Sequence, residues 1–188
     1  LAARGDADVV LVHAPDLEEE FVQKGFGVQR TFIMYNDFVI LGPSNDPANI
    51  RRSPDATNAF SRIASTQSTF VSRGDESGTH IKERVIWALA GVESPETDNW
   101  YLSLGQGMGA SLNVANEKHA YILSDRGTFL SRGASNLAML TEGDPLLFNP
   151  YHFMIVNPDK FNNVQMELGQ LLLDFLISAE TQEKIRSF

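Results

Sequence analysis

Two short stretches of the chain combine glycines, hydroxyl groups and a cation in a pattern that can bind an anion. In the first, Ser72, Arg73 and Gly74 precede Ser77-Gly78-Thr79, where a run typical of a helix begins. The first turn of a helix presents backbone N–H groups that lack intrahelical partners, at the positive end of the helix dipole. Serine and threonine hydroxyls and the planar guanidinium of Arg73 would add donors, so this loop could seat an oxyanion.

The same residues are also typical of a plain helix cap. Ser77 or Thr79 could accept a hydrogen bond from the backbone of its own helix, and no ligand would then be needed to explain them. Asp75 is ambiguous too, because it could face a ligand as an acceptor or pair with Arg73 and orient the guanidinium. The residues alone leave these interpretations open.

The second stretch, GQGMGA over residues 105–110, follows a predicted strand and precedes a predicted helix. It could be a second helix start that faces an anion, or a tight turn without a ligand. With Asp125 twenty positions after Gly105, it also approaches a dinucleotide-binding fingerprint. However, the chain has G-x-G-x-G where that fingerprint requires G-x-G-x-x-G. An enzyme with a nicotinamide or flavin cofactor is therefore the less favoured interpretation.

Catalytic, metal-binding and adhesive interpretations have less support. The G-x-x-S-G of the first stretch differs from the G-x-S-x-G of a nucleophile elbow. No HExxH motif occurs, and the i, i+4 spacing typical of metal ligands is absent from the histidines, which are His13, His80, His119 and His152. The tripeptide Arg-Gly-Asp occurs twice, at residues 4–6 and 73–75, so that a match of three letters carries little weight.

Length, charge and composition exclude several classes of protein. A chain of 188 residues suffices for one large domain or two small lobes. Its longest apolar run is far shorter than the roughly 20 residues that a transmembrane helix needs. The net charge of −9, with scattered Lys and Arg, argues against a nucleic-acid partner. Such a chain cannot attract an anion by its global field, so an anion site would depend on local donors.

Strands alternate with helices along the chain, which predicts an α/β protein with mostly parallel strand pairing. The residues LAARG at the start are typical of the last turn of a helix, with Gly5 as its cap. The segment after the first stretch predicts a helix with Ile81, Val85 and Leu89 on one face. Further helices are predicted over 17–24, 54–65, 111–118, from Asp125, and in two pieces over 164–188, the second capped by Ser178.

The segments DVVLVHAP, YNDFVILGP, FVSRGDESGTH, WYLSLGQGMGASLNVANEKHAYILSDRGTF, EGDPLLFNPY and VNP together closely resemble the tungstate-binding proteins of bacterial ABC importers. These are type II periplasmic binding proteins, related to those that bind molybdate and phosphate. The resemblance runs almost from end to end. It implies two α/β lobes joined by crossing strands, with a tetrahedral oxyanion in the cleft between them. One lobe would contain residues 1–43 and 150–188, and the other residues 44–149, with hinges near 41–46 and 146–151.

Carried over residue by residue, the resemblance implies that the second lobe supplies the ligand donors, which are Ser72, Arg73, Ser77, Gly78, Thr79, Gly107, Met108 and Gly109. Members of the family open with a strand and a Thr/Ser-rich loop that forms the first lobe's half of the site. This chain starts after that loop, so we expect the first lobe to be incomplete at its N-terminus.

The function implied by the resemblance is capture of tungstate or molybdate and its delivery to a membrane permease, in the periplasm or from a lipid anchor on a Gram-positive cell. Neither a cofactor nor catalysis is expected. Tungstate and molybdate are fully deprotonated at neutral pH and need only donors, whereas monohydrogen phosphate also needs an acceptor. The resemblance, not the residues, selects tungstate. An anion-sensing regulatory domain of the same fold and a phosphate-binding protein are the alternatives.

Overall fold

The structure is a computed structural model, and it describes residues 1–93, 95–132 and 136–187. The chain forms two compact units, one of which is assembled from both ends of the chain. The units are Leu1–Tyr35 together with Asn149–Phe188, and Asn36–Phe148. No helix of the described part combines the length and the apolar character needed to cross a membrane.

The unit built from the chain ends has a small antiparallel core. Strand β1 (Val9–Val12) pairs antiparallel with β7 (Phe148–Val156), which lies beside β2 (Gly27–Pro43). The helices of this unit are α1 (Pro15–Gln23), α6 (Met166–Ile177) and α7 (Ala179–Ser187). As predicted, Gly5 adopts a left-handed conformation (φ 76°) after a short helical turn, and the Ser178 hydroxyl accepts a hydrogen bond from the Thr181 N–H at the start of α7.

The other unit is a five-stranded sheet with helices on both faces. Its strands lie in the order β6–β2–β5–β3–β4. The strands that follow β2 are β3 (Phe70–Ser72), β4 (Tyr101–Ser103), β5 (Tyr121–Asp125) and β6 (Leu137–Thr141). The helices are α2 (Ala56–Ser65), α3 (Gly78–Leu89), α4 (Met108–Lys118) and α5 (Arg126–Ser131).

Side chains of this sheet alternate between two apolar cores. Phe38 and Ile40 pack in one core with α2 and α3, whereas Val39 and Leu41 pack in the other with α4. Successive side chains of a strand point to opposite faces, so this alternation covers the sheet on both sides. The first core is rich in aromatic rings, with Phe60 4.3 Å and Trp100 5.5 Å from Trp87 between ring centroids. Both tryptophans therefore lie in the core.

The prediction of mostly parallel pairing was wrong. Only β3–β4 and β3–β5 are parallel among the five pairings whose registers are defined, and β1–β7, β2–β5 and β2–β6 are antiparallel. The parallel strands are those linked through the crossover helices α3 and α4, as a parallel connection requires. Strand β2 is not linked to its neighbour β5 through one of these crossover helices, and it runs antiparallel to β5.

The apolar face predicted for α3 was also wrong. Val85 and Leu89 are 44% and 59% exposed, and the buried face contains Ile86, Trp87 and, unexpectedly, Glu83. A prediction from the spacing of apolar residues places every glutamate on the solvent side. It therefore assigns the wrong face of α3 to the core.

The division between the units differs from the expected one at its first boundary. The observed first boundary falls after Tyr35, whereas the expected one followed position 43. The observed second boundary falls after Phe148, one residue before the expected boundary after position 149. Strand β2 runs through the first boundary as 17 continuous residues, so no turn or proline marks that boundary in the sequence. The assignment of lobes and hinges stays a prediction.

Candidate functional site

The two glycine-rich stretches lie side by side at one edge of the second unit's sheet. Strands β3 and β4 are parallel, with Ser72 opposite Ser103, so both chains leave the sheet at the same edge. The Leu104 N–H donates to the Ser72 carbonyl (3.2 Å), and the Gln106 N–H donates to the Arg73 carbonyl (3.0 Å). This edge, where the carboxyl ends of parallel strands meet helix N-termini, is where α/β sheets bind ligands.

Asp75 pairs with Arg73. The Nε and Nη2 atoms of Arg73 donate to the same oxygen, Asp75 Oδ2, at 3.1 and 2.5 Å, and Nη1 lies 3.5 Å from Thr79 Oγ1. Burial acts to raise the pKa of Asp75, but hydrogen bonds from Ser77 and Arg73 outweigh it, and the pKa lies below its usual value. Of the two roles left open by the sequence, Asp75 therefore has the one that orients the guanidinium.

Helix α3 starts at Gly78 with Ser77 as its cap. The Ser77 hydroxyl accepts a hydrogen bond from the His80 N–H at 3.4 Å, so the capping interpretation is confirmed for Ser77. Thr79 is buried, and its hydroxyl faces Arg73 rather than its own helix. Among the described residues, no acceptor is bonded to the N–H groups of Gly78 and Thr79. The cap thus leaves two backbone donors at the first turn of α3.

Helix α4 starts at Met108, three residues before the predicted start at Ser111. Its cap residue, Gly107, has no side chain to satisfy the first turn. The helical hydrogen bonds begin with the Ser111 N–H, which donates to the Gly107 carbonyl at 3.1 Å. Within the described residues the N–H groups of Met108 and Gly109 bond no acceptor. The Met108 side chain packs in the core, so Met108 could contact a ligand only through its backbone.

A second arginine, missed at the sequence level, lies against the start of α4. A Cβ atom added to Gly109 would lie 2.6 Å from Nη1 of Arg132, the C-cap residue of α5. The sequence carries no signal for this contact, because an arginine at a helix C-terminus is explained by the helix dipole alone. The structure therefore places Arg73 in the first glycine-rich turn and the Arg132 guanidinium beside the second.

Gly74 makes the close approach of the two turns possible. Its φ is +60°, and a Cβ atom at this position would lie 2.1 Å from the Ser103 hydroxyl oxygen. A side chain here would be strained in the backbone and would also collide with β4. A residue with a side chain at position 74 would therefore destabilise the packing of the first turn against β4.

Ser72 is fully buried, and so is Glu83, a carboxyl group on α3. The Ser72 hydroxyl oxygen accepts from the Gly74 N–H (3.2 Å). Glu83 accepts from the Tyr101 hydroxyl (2.6 Å) and from the Trp87 indole N–H (3.3 Å). Burial raises the pKa of Glu83 to about 7, although these hydrogen bonds act to lower it. Sequence reasoning did not identify Glu83.

The features behind the rival interpretations have local structural roles. The Asp125 carboxylate caps α5 by accepting a hydrogen bond from the Thr128 N–H (2.7 Å). In a dinucleotide-binding site this carboxylate would instead accept a hydrogen bond from the ribose hydroxyl. Arg4 and Asp6 of the other Arg-Gly-Asp tripeptide pair with each other at 2.9 Å. Over the described residues, no three His, Asp or Glu side chains are grouped as a metal site would need.

A family model described as the PBP superfamily domain matches residues 1–180. A Haloferax volcanii protein, named as an anion-binding protein of an ABC transporter, is 46% identical over the whole chain. The tungstate-binding protein TupA of Peptoclostridium acidaminophilum is 42% identical over 98% of the chain. The chain spans 56% of the length of the first relative and 65% of the second.

Two solved structures are similar over the entire chain. The tungstate-binding protein of Desulfovibrio alaskensis G20 is 42% identical with a TM-score of 0.86, and the chain covers 76% of it. The tungstate ABC transporter structure from Geobacter sulfurreducens is 46% identical, also with a TM-score of 0.86, and the chain covers 80% of it. The resemblance inferred from the motifs is confirmed by these relatives, and the predicted α/β fold by these structures. With the family model matched over residues 1–180, the chain belongs to the PBP superfamily.

Proposed function

We propose that this protein binds tungstate, and molybdate as a second ligand, as the substrate-binding component of an ABC importer. The single observation that carries the proposal is the pair of helix starts at Gly78 and Met108. These starts leave backbone donors unpaired among the described residues and have Arg73 and Arg132 beside them. Backbone N–H groups at helix N-termini, with a guanidinium, are the donors that oxyanion sites use.

The proposed ligand donors fall into three groups. Backbone N–H groups come from Gly78, Thr79, Met108 and Gly109, with Gly107 allowing close approach. Charge comes from Arg73 and Arg132. Hydroxyl groups come from the predicted Ser72, Ser77 and Thr79; the hydroxyls of Ser72 and Ser77 already hold backbone N–H groups, so we assign these two a supporting role.

The state of Asp75 favours a fully deprotonated anion over monohydrogen phosphate. One carboxylate oxygen of Asp75 accepts from Arg73, and the other accepts from the Ser77 N–H at 3.2 Å. A phosphate that carries a proton needs an acceptor in its site. Asp75 already accepts three of the roughly four hydrogen bonds that a carboxylate can accept, and its ion pair with Arg73 holds it to the guanidinium. Tungstate and molybdate need donors only, which is what the two turns supply. The names of the relatives support tungstate in particular.

The wider role follows from the relatives and is part of the proposal. The protein would deliver its oxyanion to a membrane permease, would act in the periplasm or at the outer surface of the cell, and would not alter its ligand chemically. No feature of the described residues favours a regulatory domain over a transport component.

Calorimetric titration of the full-length protein with tungstate, molybdate, sulfate and phosphate tests the proposal. We expect saturable binding of tungstate and molybdate, with one anion per chain, and much weaker binding of sulfate and phosphate. Binding of phosphate as tight as that of tungstate, or no binding of tungstate and molybdate, would contradict the proposed function.

A further inference from the structure

The imidazole ring of His80 lies against the loop that leads into α3. His80 is 8% exposed and is the third residue of α3, so its ring lies beside the helix start. Its Nδ1 atom lies 3.2 Å from the backbone nitrogen of Glu76, within hydrogen-bonding distance. Glu76 lies between Asp75, the partner of Arg73, and Ser77, the cap of α3. His80 therefore contacts the backbone of the first glycine-rich stretch directly.

The direction of this hydrogen bond determines which ring nitrogen carries the proton. A backbone N–H can only donate, so His80 Nδ1 must be the acceptor and must carry no proton. The proton of the neutral ring then lies on Nε2. A charged imidazole has a proton on both nitrogens and could not accept from the Glu76 N–H. The geometry therefore requires the neutral ring of His80 in one defined tautomer.

An ion pair between His80 and the Glu76 side chain is the alternative interpretation. Nδ1 lies 3.6 Å from Glu76 Oε1, which is too long for a hydrogen bond. The Glu76 side chain is 73% exposed, and ion pairs in contact with solvent contribute little. The backbone N–H of Glu76, at 3.2 Å, is the closer partner, and we assign it to the ring.

The backbone of Glu76 needs a contact that holds it. Its φ is +58°, in the left-handed region that residues with a side chain seldom adopt. Such a conformation persists where the surrounding structure fixes it. The bond from His80 acts on this residue, which is the one residue with a side chain and a positive φ between Arg73 and Gly78.

The bond is part of a reciprocal arrangement at the start of α3. The Ser77 hydroxyl accepts from the His80 N–H, and the His80 ring accepts from the N–H of the residue before Ser77. In the usual capping box, a Glu or Gln at the third helical position accepts from the N–H of the cap residue itself. Here the N–H of the cap residue donates to Asp75 Oδ1 at 3.2 Å. Histidine at this position therefore fixes one more residue of the loop.

The bonds inside the loop determine which backbone donors remain for an anion. The Glu76 N–H donates to the His80 ring, and the Ser77 N–H donates to a carboxylate of the loop. The next two N–H groups, those of Gly78 and Thr79, bond no acceptor among the described residues. The donors proposed for the anion thus begin immediately after the part of the loop that these bonds hold.

We propose that His80 is a positioning residue of the oxyanion site, whose neutral imidazole holds Glu76 in place. Glu76 is joined in the chain to Asp75, which orients the Arg73 guanidinium, and to Ser77, which caps α3. A displacement of Glu76 would therefore reach both the guanidinium and the helix start. The inference rests on the proposed function, because it assigns a supporting residue to the same site. His80 acts through the loop and does not contact the anion.

Two variants of the full-length protein separate the acceptor of His80 from its ring. His80→Asn places an amide oxygen where Nδ1 lies, so it keeps an acceptor without the ring, whereas His80→Phe keeps a ring without an acceptor. Calorimetry with tungstate should show an affinity within about twofold of the unmodified protein for His80→Asn and a loss of about fivefold for His80→Phe, the effect of one hydrogen bond. Hydrogen exchange of the Glu76 amide, followed by NMR, should be accelerated in His80→Phe and not in His80→Asn.

His119→Asn is the matched control for these variants. His119 is exposed at the C-terminal end of α4, with a φ of +50°, which asparagine also adopts. This change should leave both the tungstate affinity and the exchange of the Glu76 amide as they are in the unmodified protein.

The unmodified protein tests the inference even if the variants do not fold. Nitrogen NMR of the imidazole rings should find the proton of neutral His80 on Nε2, with Nδ1 unprotonated. A neutral ring with its proton on Nδ1, or a tungstate affinity of His80→Phe equal to or above that of His80→Asn, would overturn the inference and leave the proposed function standing. Absence of tungstate and molybdate binding by the unmodified protein would overturn both.

Discussion

The Arg73 guanidinium and the Asp75 carboxylate are paired through two nitrogens and a single oxygen, with Nε 3.1 Å and Nη2 2.5 Å from Oδ2. The side chains are 18% and 21% exposed, so the pair is partly shielded from solvent. This geometry holds the plane of the guanidinium while leaving Nη protons that Asp75 does not accept. Within the proposed site, Asp75 therefore orients the guanidinium of Arg73. Its negative charge is paired with Arg73 and is not an isolated charge that would repel an anion.

Replacing Arg73 with alanine should weaken tungstate binding by about 1.5–3 kcal/mol, the usual value of a hydrogen bond to a charged group. Arg73→Lys should give an intermediate loss, because it keeps the charge but not the planar fork. Affinities from calorimetry measure both. Arg84→Ala is the matched control, since Arg84 is an exposed residue of α3 whose side chain is 64% exposed. An Arg73→Ala variant with unchanged affinity would show that Arg73 does not contact the anion.

Replacing Gly109 with alanine should displace Arg132, because the added Cβ atom would lie 2.6 Å from its Nη1 atom. The clash is with the end of a flexible side chain, and alanine is favoured over glycine within a helix, so we expect folding to be preserved. Tungstate affinity should fall by about 1 kcal/mol, or roughly fivefold.

Gly127→Ala in α5 is the control for this prediction. Its added Cβ atom would meet only Asp125 Oδ1, at the ordinary contact distance of 3.6 Å. The two variants should have similar thermal stability and differ in affinity. If both bind tungstate equally well, Arg132 has no part in the site.

Replacing Gly74 with alanine should destabilise the protein by about 1–3 kcal/mol, from the positive φ and the collision with the Ser103 hydroxyl. The free energy of unfolding in urea measures this change. The double variant Gly74→Ala/Ser103→Ala removes the hydroxyl but keeps the positive φ, so it should recover part of the loss. The losses of unfolding free energy in Gly74→Ala and Ser103→Ala can be added and compared with the loss in the double variant. If the two values are equal, the collision with Ser103 does not contribute to the destabilisation by Gly74→Ala.

The stability of the protein should depend on the proton of Glu83. The folded pKa, about 7, lies above the usual value of 4.5 for an unfolded glutamate. The neutral form therefore stabilises the fold fully below about pH 4.5, and this contribution is lost as the pH rises to about 7. Relative to Glu83→Gln, the unmodified protein should lose about 3 kcal/mol of unfolding free energy across this range.

Urea unfolding of both proteins at a series of pH values measures that difference. At pH values well above 7 the difference should stay constant, since Glu83 is then ionised in both the folded and the unfolded state. A difference that does not change between acidic and neutral pH would mean that Glu83 titrates normally in the folded protein.

The position of the candidate site could be predicted from the sequence because its signals are local. Glycine, serine and threonine at a strand-to-helix junction determine helix starts within a few residues, so Ser77 and Gly107 could be recognised without a structure. The choice between a cap and an anion site could not be made from these residues. Ser77 is a cap in fact, and the unpaired donors lie in the backbone beside it.

The residues that were missed depend on contacts between distant parts of the chain. The buried Glu83 accepts a hydrogen bond from the Tyr101 hydroxyl, 18 positions later in the chain. Arg132 meets Gly109 because the end of α5 lies beside the start of α4. Antiparallel pairing was missed for a similar reason, since local patterns predict a strand but not the direction of its neighbour.

The most direct test of the proposed site is a crystal structure of the full-length protein with tungstate, with the tungsten atom located by its anomalous scattering. We predict a single strong peak at the first turns of α3 and α4, with tungstate oxygens within hydrogen-bonding distance of backbone N–H groups of Gly78 or Thr79 and of Met108 or Gly109, and of Arg73. A peak elsewhere in the protein, or no ordered tungsten at saturating tungstate, would contradict the account.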